Sequence, residues 1–400
     1  LLGILLVIFS LSFIPPLVLS VFYAEPLNGI FLYSFLFLIT LGCLMWFTSR
    51  QKDLPLNISD GFIITTMFWV VLAFAGSIPF YFFGLNANDA IFESVSGITT
   101  TGATVIVGLD ELPKSLLLYR QLLQWIGGMG LIILAVAVMP TLGIGGGQLY
   151  KMELPGSHGN QRLTPKITDS AKALWKIYFG LTIICALLYL LSGMNLFDAI
   201  AHSLSTVAGG GFSTHDDSMG FFDSGLIETV CIIFMLLSAA SFAVHYAAIF
   251  GGKPLKYFYD SEFRFFLSIV ISIAIVILIF HTVNDSYAEF LLTLRTSIFH
   301  TVSIVTTSGF TTENFSLWPS FLPYLLLVGA FMGACSQSVG GGIKTWRVLI
   351  MVKQAYKEIL NIIHPNAVLS SKIGDKVIDS KIAEKVWGFF SIYVSVSYTH

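Results

Sequence analysis

Three short stretches place threonine, serine and glycine where backbone carbonyls could coordinate a cation. They read Thr99-Thr100-Thr101-Gly102-Ala103-Thr104, Ala208-Gly209-Gly210-Gly211-Phe212-Ser213 and Thr306-Thr307-Ser308-Gly309-Phe310-Thr311. Aligned on Gly102, Gly211 and Gly309, each has serine six residues earlier: Ser96, Ser205 and Ser303. Nine residues earlier each has a polar side chain: Glu93, His202 and His300. The glycines are 109 and 98 residues apart, an internal repeat of the kind found in transporters and channels. Glycine reaches backbone angles that turn successive carbonyls in one direction. A ring of such carbonyls can replace the water shell of a potassium ion. The candidate ligands are therefore the backbones of Thr100, Thr101 and Gly102, of Gly209, Gly210 and Gly211, and of Thr307, Ser308 and Gly309.

A second constellation lies near the end of the chain, in Phe331-Met332-Gly333-Ala334-Cys335-Ser336-Gln337-Ser338-Val339-Gly340-Gly341-Gly342-Ile343-Lys344-Thr345-Trp346-Arg347. It interrupts an apolar run, 317 to about 360, that is otherwise long enough to span. Each glycine costs a helix about 1 kcal/mol relative to alanine, so the run should break here. Non-helical backbone at membrane depth persists only where protein buries it or where it lines a wet cavity. We expect this loop to lie in a conduction path below the carbonyl ring and to gate it. The gate residues would be Gly333, Cys335, Ser336, Gly340, Gly341 and Gly342, with Lys344 and Arg347 repelling cations or anchoring the loop. Cations within a span usually mark function.

Other features are blander. Gly143-Ile144-Gly145-Gly146-Gly147 follows an apolar run, not a strand, and reads as a helix C-terminal turn instead of a nucleotide loop. His202, His245 and His300 read as hydrogen-bonded spacers, with proton sensing as the alternative. Cys43, Cys185, Cys231 and Cys335 all sit in apolar segments without CxxC spacing, so neither zinc nor a disulfide framework is implied. No nucleophile or metal-ligand spacing accompanies His202, Asp216 and Asp217, which sets an enzyme aside.

The elements that must hold these loops follow from composition. The chain has 400 residues, 55% hydrophobic and 11% charged. Soluble domains carry about 25% charged residues. The fold class is therefore an all-α polytopic membrane protein. Apolar runs predict spans at 1–23 (kinked at Pro15-Pro16), 30–48, 61–83, 116–140, 172–191, 225–250 and 263–280, then the broken run and a start of another at 386. The short apolar stretches 89–98, 198–207 and 296–305 are too brief to cross a bilayer. They read as pore helices whose C-terminal dipole ends point at the ion. Gly127-Gly128-Met129-Gly130 permits close helix approach.

The organisation expected is 1–53, two leading helices; 54–147, 148–252 and 253–362, three units of helix, short helix, loop and helix; and 363–400, a linker and the beginning of a fourth unit. The chain starts and stops inside apolar runs. We therefore expect the fourth unit's glycine about 100–115 residues beyond Gly309, and no conduction by residues 1–400 alone.

Charge orients the chain. On the loop side we count only Lys114, Arg120 and Arg295. The opposite side gathers sixteen, Lys344 and Arg347 of the broken run not counted, and they are concentrated in 148–176 and in 353–385, read as lysine-rich linkers. The positive-inside rule then turns the glycine loops outward. Acids on the outer side, among them Glu93, Asp110, Asp198, Asp216 and Asp217, would concentrate cations at the mouth.

Taken together, the three threonine–glycine stretches and Gly340-Gly341-Gly342-Ile343-Lys344 with Arg347 resemble the membrane subunit of the bacterial Trk/Ktr potassium uptake family, closest to the Trk type. The resemblance covers essentially the whole chain. It implies four covalently linked helix–pore helix–helix units after two extra helices, with the transported potassium ion bound in a selectivity filter. It also implies an intramembrane gating loop in the third unit, a homodimer in the bacterial inner membrane, and a cytosolic nucleotide-binding ring as regulatory partner, with no nucleic acid. The glycine-rich second loop departs from the hydroxyl-bearing first and third. Proton- or sodium-coupled potassium symport and a non-conducting membrane scaffold are the alternatives.

Overall fold

In hydrocarbon every backbone N–H and C=O needs an internal partner, and helices provide it within one segment. The computed structural model, which describes residues 2–48, 58–137, 167–284, 289–319, 321–367, 372–373, 376–377 and 380–399, is accordingly helical almost throughout. Five helical segments among the described residues are long and apolar enough to cross a membrane: Leu2–Phe22, Asn28–Thr48, Thr66–Phe83, Lys172–Leu191 and Ser261–Val283. The chain forms two compact units, residues 1–238 with 308–315, and residues 239–307 with 316–400.

In the first unit, α1 (Leu2–Ser10) passes through a short 3-10 turn into α2 (Ile14–Phe22), with prolines at the start of α2 as the sequence predicts. Then come α3 (Asn28–Thr48), α4 (Ile58–Phe83), the short α5 (Ala87–Ile98) and the long α6 (Lys114–Ala137). Tyr119 of α6 joins them. Its ring lies 5.5 Å from Phe13, 5.7 Å from Phe31 and 5.3 Å from Phe80, all fully buried, and its hydroxyl donates to Gly76 O at 2.8 Å. Glu25, just after α2, accepts from the backbone N–H of Lys114 at 2.8 Å and of Ser115 at 3.1 Å. The leading helices thus cap α6, where an anion meets unsatisfied N–H groups. α7 (Ile167–Leu191), α8 (Leu196–Ala208) and α9 (Gly225–Ala239) follow. Gly127 and Gly128 let α6 lie directly against Ile98 at the end of α5 and Ala208 at the end of α8.

The second unit holds α10 (Phe242–Ile249), α11 (Lys256–Tyr259), α12 (Ser261–Val283), α13 (Phe290–Val305), α14 (Leu322–Met332), α15 (Thr345–Ile363) and α16 (Ser380–Thr399). A two-residue hairpin, β1 (Lys372–Ile373) with antiparallel β2 (Lys376–Val377), precedes α16. Leu349 and Ile350 pack with Ile373, Ala383 and Val386 in a small core.

Two expectations change. The run 225–250 is not one helix: it stops at Ala239 and restarts at Phe242, where the Ser241 side chain caps the new start. The lysine-rich stretch from 353 is not linker at its beginning, because α15 continues to Ile363. The Gly143–Gly147 turn and the basic segment up to Lys166 lie outside the described residues.

Candidate functional site

Each of the three glycine loops is delivered by a short helix. α5 and α8 begin with the same device: Asn86 and Asn195 cap their helices by accepting from the N–H of Asp89 at 3.0 Å and Asp198 at 2.9 Å. The capping asparagines in turn donate to those carboxylates, both at 2.6 Å. A capping side chain typically stabilises a helix by about 1 kcal/mol. α13 has no side-chain cap from Glu289 and extends further back than the sequence pattern suggests, to Phe290.

The loops share one backbone pattern. Positive φ occurs at Thr100 (55°) and Gly102 (78°), at Gly209 (64°) and Gly211 (76°), and at Thr307 (62°) and Gly309 (85°). Positive-φ residues alternating with residues outside that region can turn successive carbonyls toward the same side. Threonine pays for this conformation where glycine does not, and such strain tends to sit at functional sites. The loops also converge within the first unit. A Cβ on Gly102 would fall on the carbonyl oxygen of Gly210, and one on Gly211 on that of Ser308. The oxygen approached is in both cases that of the residue before the loop glycine.

Behind the loops stand polar side chains that face no water. Ser96 Oγ donates to Ala103 O at 2.5 Å. Glu93 and Arg120, both fully buried, pair at 2.7 Å. Glu93 also accepts from Thr104 Oγ1 at 3.0 Å and from the Val105 N–H at 3.3 Å. Arg120 donates to Thr104 Oγ1 at 3.0 Å and Ser213 O at 3.2 Å, and its guanidinium lies 4.3 Å from the Phe212 ring centre. This pair therefore braces the first and second loops together. Gln124, one helical turn further along α6, reaches the second loop: Nε2 donates to Gly210 O at 2.7 Å, and Oε1 accepts from Ser205 Oγ at 2.6 Å and Phe212 N–H at 3.1 Å.

These contacts correct the charge reading. Arg120 is not an outer-loop cation, and Glu93 and Asp198 are not open acids of a mouth; all three are buried. An ion pair satisfied inside the protein needs no solvent, which a count of loop charges does not see. Asp110, Asp216 and Asp217 are exposed. The segments after the first two loops are tied by Asp216, which accepts from the N–H of Gly108 at 3.1 Å and of Leu109 at 3.0 Å. They are tied again by His215, which bonds Asp110 and, at 3.2 Å, Asp198. Burial alone works against protonating His215, but hydrogen bonds and charge from Asp198 and Asp110 outweigh it and raise its pKa above the usual 6.5. The histidine spacers behave as expected: His202 bonds Asp198 O and Ser213 Oγ, both at 3.0 Å, His300 bonds Thr296 O at 3.1 Å, and His245 bonds the Tyr257 hydroxyl at 2.5 Å.

In the second unit the break in the apolar run is as the sequence predicts. α14 ends at Met332, and α15 starts at Thr345. Between them Gly333 (φ 69°), Gly342 (81°) and Lys344 (80°) take left-handed angles. The loop folds on itself through Ala334 N–H to Gly341 O at 3.3 Å and Thr345 Oγ1 to Gly333 O at 2.9 Å. Gly341 N–H donates to Thr307 Oγ1 at 2.6 Å, and Lys344 Nζ donates to the carbonyls of Ser338 and Gly340. Cys335 and Ser336 are buried, the former donating its N–H to Ala239 O at 3.0 Å. Arg347 donates to Ile343 O at 3.1 Å and stacks 4.0 Å from the Phe389 ring. Glu262, at the start of α12, escaped the sequence reading; its Oε1 accepts from the N–H of Ser336 at 2.5 Å and of Trp346 at 3.1 Å. The only local hint was an acid at the head of a spanning helix. Among the described residues no group of three or more histidine, cysteine, aspartate and glutamate side chains is placed to hold a metal ion.

Comparison with known proteins is consistent across three routes. The family model described as "TrkH: Cation transport protein" matches residues 29–399. The Trk system potassium uptake protein TrkH of Halomonas elongata is 48% identical over 396 residues, covering 98% of this chain and 82% of that protein. Its counterpart in Escherichia coli strain K12 is 44% identical over 397 residues, with 98% and 82% covered. The crystal structure of the potassium transporter TrkH from Vibrio parahaemolyticus aligns with a TM-score of 0.88 at 45% identity, covering 99% of this chain and 82% of that one.

Proposed function

The chain belongs to the TrkH family of cation transport proteins, and on that premise we infer that it takes up potassium across the membrane it spans. It is a transport protein and not an enzyme. The backbones of Thr100–Gly102, Gly209–Gly211 and Thr307–Gly309 form part of a selectivity filter in which carbonyls replace the hydration shell of potassium. The observation that carries this reading is the positive φ shared by residues two apart in all three loops, with the carbonyls of Gly210 and Ser308 against the neighbouring loop's glycine.

The glycine loop between α14 and α15 acts as the gate. In favour of this, Gly341 is hydrogen-bonded to Thr307, the residue before Ser308 in the third loop, and Lys344 donates to two loop carbonyls and so holds the loop folded. Lys344 thus anchors rather than repels. Residues 54–147, 148–252 and 253–362 are the three repeating pore units behind the leading helices. The protein works as a homodimer in the bacterial inner membrane with its filter loops outward, and its basic segments 148–176 and 353–385 dock a cytosolic nucleotide-binding ring.

Rubidium uptake into proteoliposomes holding the complete protein tests the conclusion. A potassium diffusion potential should drive uptake without a proton or sodium gradient. Dependence on such a gradient would instead establish symport, and absence of flux under every gradient and nucleotide would establish a scaffold. Gly102→Ser and Gly309→Ser should lower potassium over sodium selectivity; wild-type ratios in both would refute the filter assignment.

A further inference from the structure

The second loop is built from Gly209, Gly210 and Gly211, and so has no side chain of its own with which to hold its shape. The first loop uses its own hydroxyls: Thr99 Oγ1 and Thr101 Oγ1 lie 2.7 Å apart, and Ser96 bonds the loop directly at Ala103 O. Ser205 occupies the corresponding place in the second repeat, yet it does not touch the loop backbone in that way. It donates to Gln124, and Gln124 bonds the loop on either side of Gly211, at Gly210 O and at Phe212 N–H.

Gln124 comes from α6, 86 residues before Gly210, and is fully buried. A Cβ placed on Gly210 would run into the Gln124 amide, lying 2.6 Å from its Nε2. Gly210 stands in register with Thr101 and Ser308. The amide therefore occupies the volume that a side chain fills in the other two loops. The same Gly210 oxygen is the one that faces Gly102 of the first loop.

We propose that Gln124 is a specificity-determining positioning residue, acting as the second loop's missing side chain and setting the orientation and charge density of the Gly210 carbonyl. A carbonyl oxygen has two lone pairs. With one engaged by the Gln124 N–H, the oxygen is held in one orientation and presents a weaker field to an alkali cation. Discrimination between potassium and sodium depends on that field and that spacing, whichever of the two dominates. Release of the ion likewise requires that binding not be too strong. The chain thus compensates for a glycine-only loop by lending it an amide from another element. The inference rests on the three loops being the ion path.

The test is the potassium to sodium permeability ratio of the complete protein, from reversal potentials, in Gln124→Leu, Gly210→Ser and the double variant Gly210→Ser with Gln124→Ala. Loss of one ordinary hydrogen bond corresponds to a change on the order of 3- to 10-fold, so each single variant should shift the ratio by that amount. In the double variant the new hydroxymethyl enters the space vacated by the amide, and the ratio should recover beyond either single change. Gln124→Leu keeps most of the side-chain bulk but has no amide, so a residue that merely fills space would leave the ratio of Gln124→Leu unchanged. If Gln124→Leu fails to purify, Gln124→Glu keeps the shape and the acceptor for Ser205 and is read in its place. A wild-type ratio in the Gln124 variants alongside an altered ratio in Gly102→Ser overturns the role of Gln124 and leaves the filter standing. Wild-type ratios in both sets overturn the filter reading itself.

Discussion

Replacing Glu93 by alanine strands a guanidinium. Arg120 and Glu93 are 0% exposed and 2.7 Å apart, so water cannot take over when one partner is removed. Breaking a buried pair in this way costs about 3–5 kcal/mol, most of it from the uncompensated charge. Two details adjust that range. Arg120 keeps its bonds to Ser213 O and Thr104 Oγ1, which offsets part of the loss. Thr104 and the Val105 N–H both lose Glu93 as acceptor, but both residues are exposed and water can replace it, so they add little. The expected destabilisation for Glu93→Ala is about 4 kcal/mol. Arg120→Met should cost a similar amount, since it leaves the carboxylate buried with neutral donors only. Glu93→Leu combined with Arg120→Met should cost clearly less than the sum of the two single losses, because it buries no lone charge. Reversible unfolding in mixed detergent micelles, followed by tryptophan fluorescence, measures all of these. A Glu93→Ala penalty under about 1 kcal/mol, or additivity of the two changes, would refute the bracing role derived from burial and geometry. Because the pair also spans the first two loops, surviving Glu93→Ala protein should show reduced potassium selectivity.

Two further outcomes follow from the loop contacts. The His215 tie to Asp110 and Asp198 is favoured by the imidazolium, whose pKa lies above 6.5, so its stabilisation is complete below about pH 6.5 and fades as pH rises through the raised value. Thermal midpoints should fall across that alkaline-side window in the wild type, and His215→Gln should lose this dependence; an unchanged slope would place the titration elsewhere. Asp110, lowered by its hydrogen bond to His215, weakens the tie only in acid below about pH 3.8. In the second unit, Thr307→Val removes the acceptor for Gly341 N–H. It should raise the fraction of time the pathway is open about 3- to 10-fold in single-channel recordings, the worth of one hydrogen bond, whereas identical open probability there and after deletion of Gly340–Gly342 would remove the loop from gating.

Much of this was legible because it is local. An apolar run long enough to span and a glycine where the chain must go left-handed each express a requirement met within a few residues. The three loops and the break after Met332 could thus be read from residue types and spacing alone. What escaped reading was partnership. Arg120 and Glu93 looked like loop charges because hydropathy weighs a side chain without knowing what lies 27 residues away. Gln124 drew no reading from the sequence, and only the approach of α6 to α8 brings it to Gly210. Glu262 finds the loop amides of Ser336 and Trp346 across 74 and 84 residues. The helix break after Ala239 followed from no proline or glycine; the Phe242 N–H at the new helix start is met by Gln337 O, a carbonyl from far along the chain. Sequence alone determined where the backbone would leave the helix at the three glycine loops and after Met332. Tertiary structure decided which buried side chains hold those loops in place, because a buried charge or amide is stable only beside a partner that the linear order does not reveal.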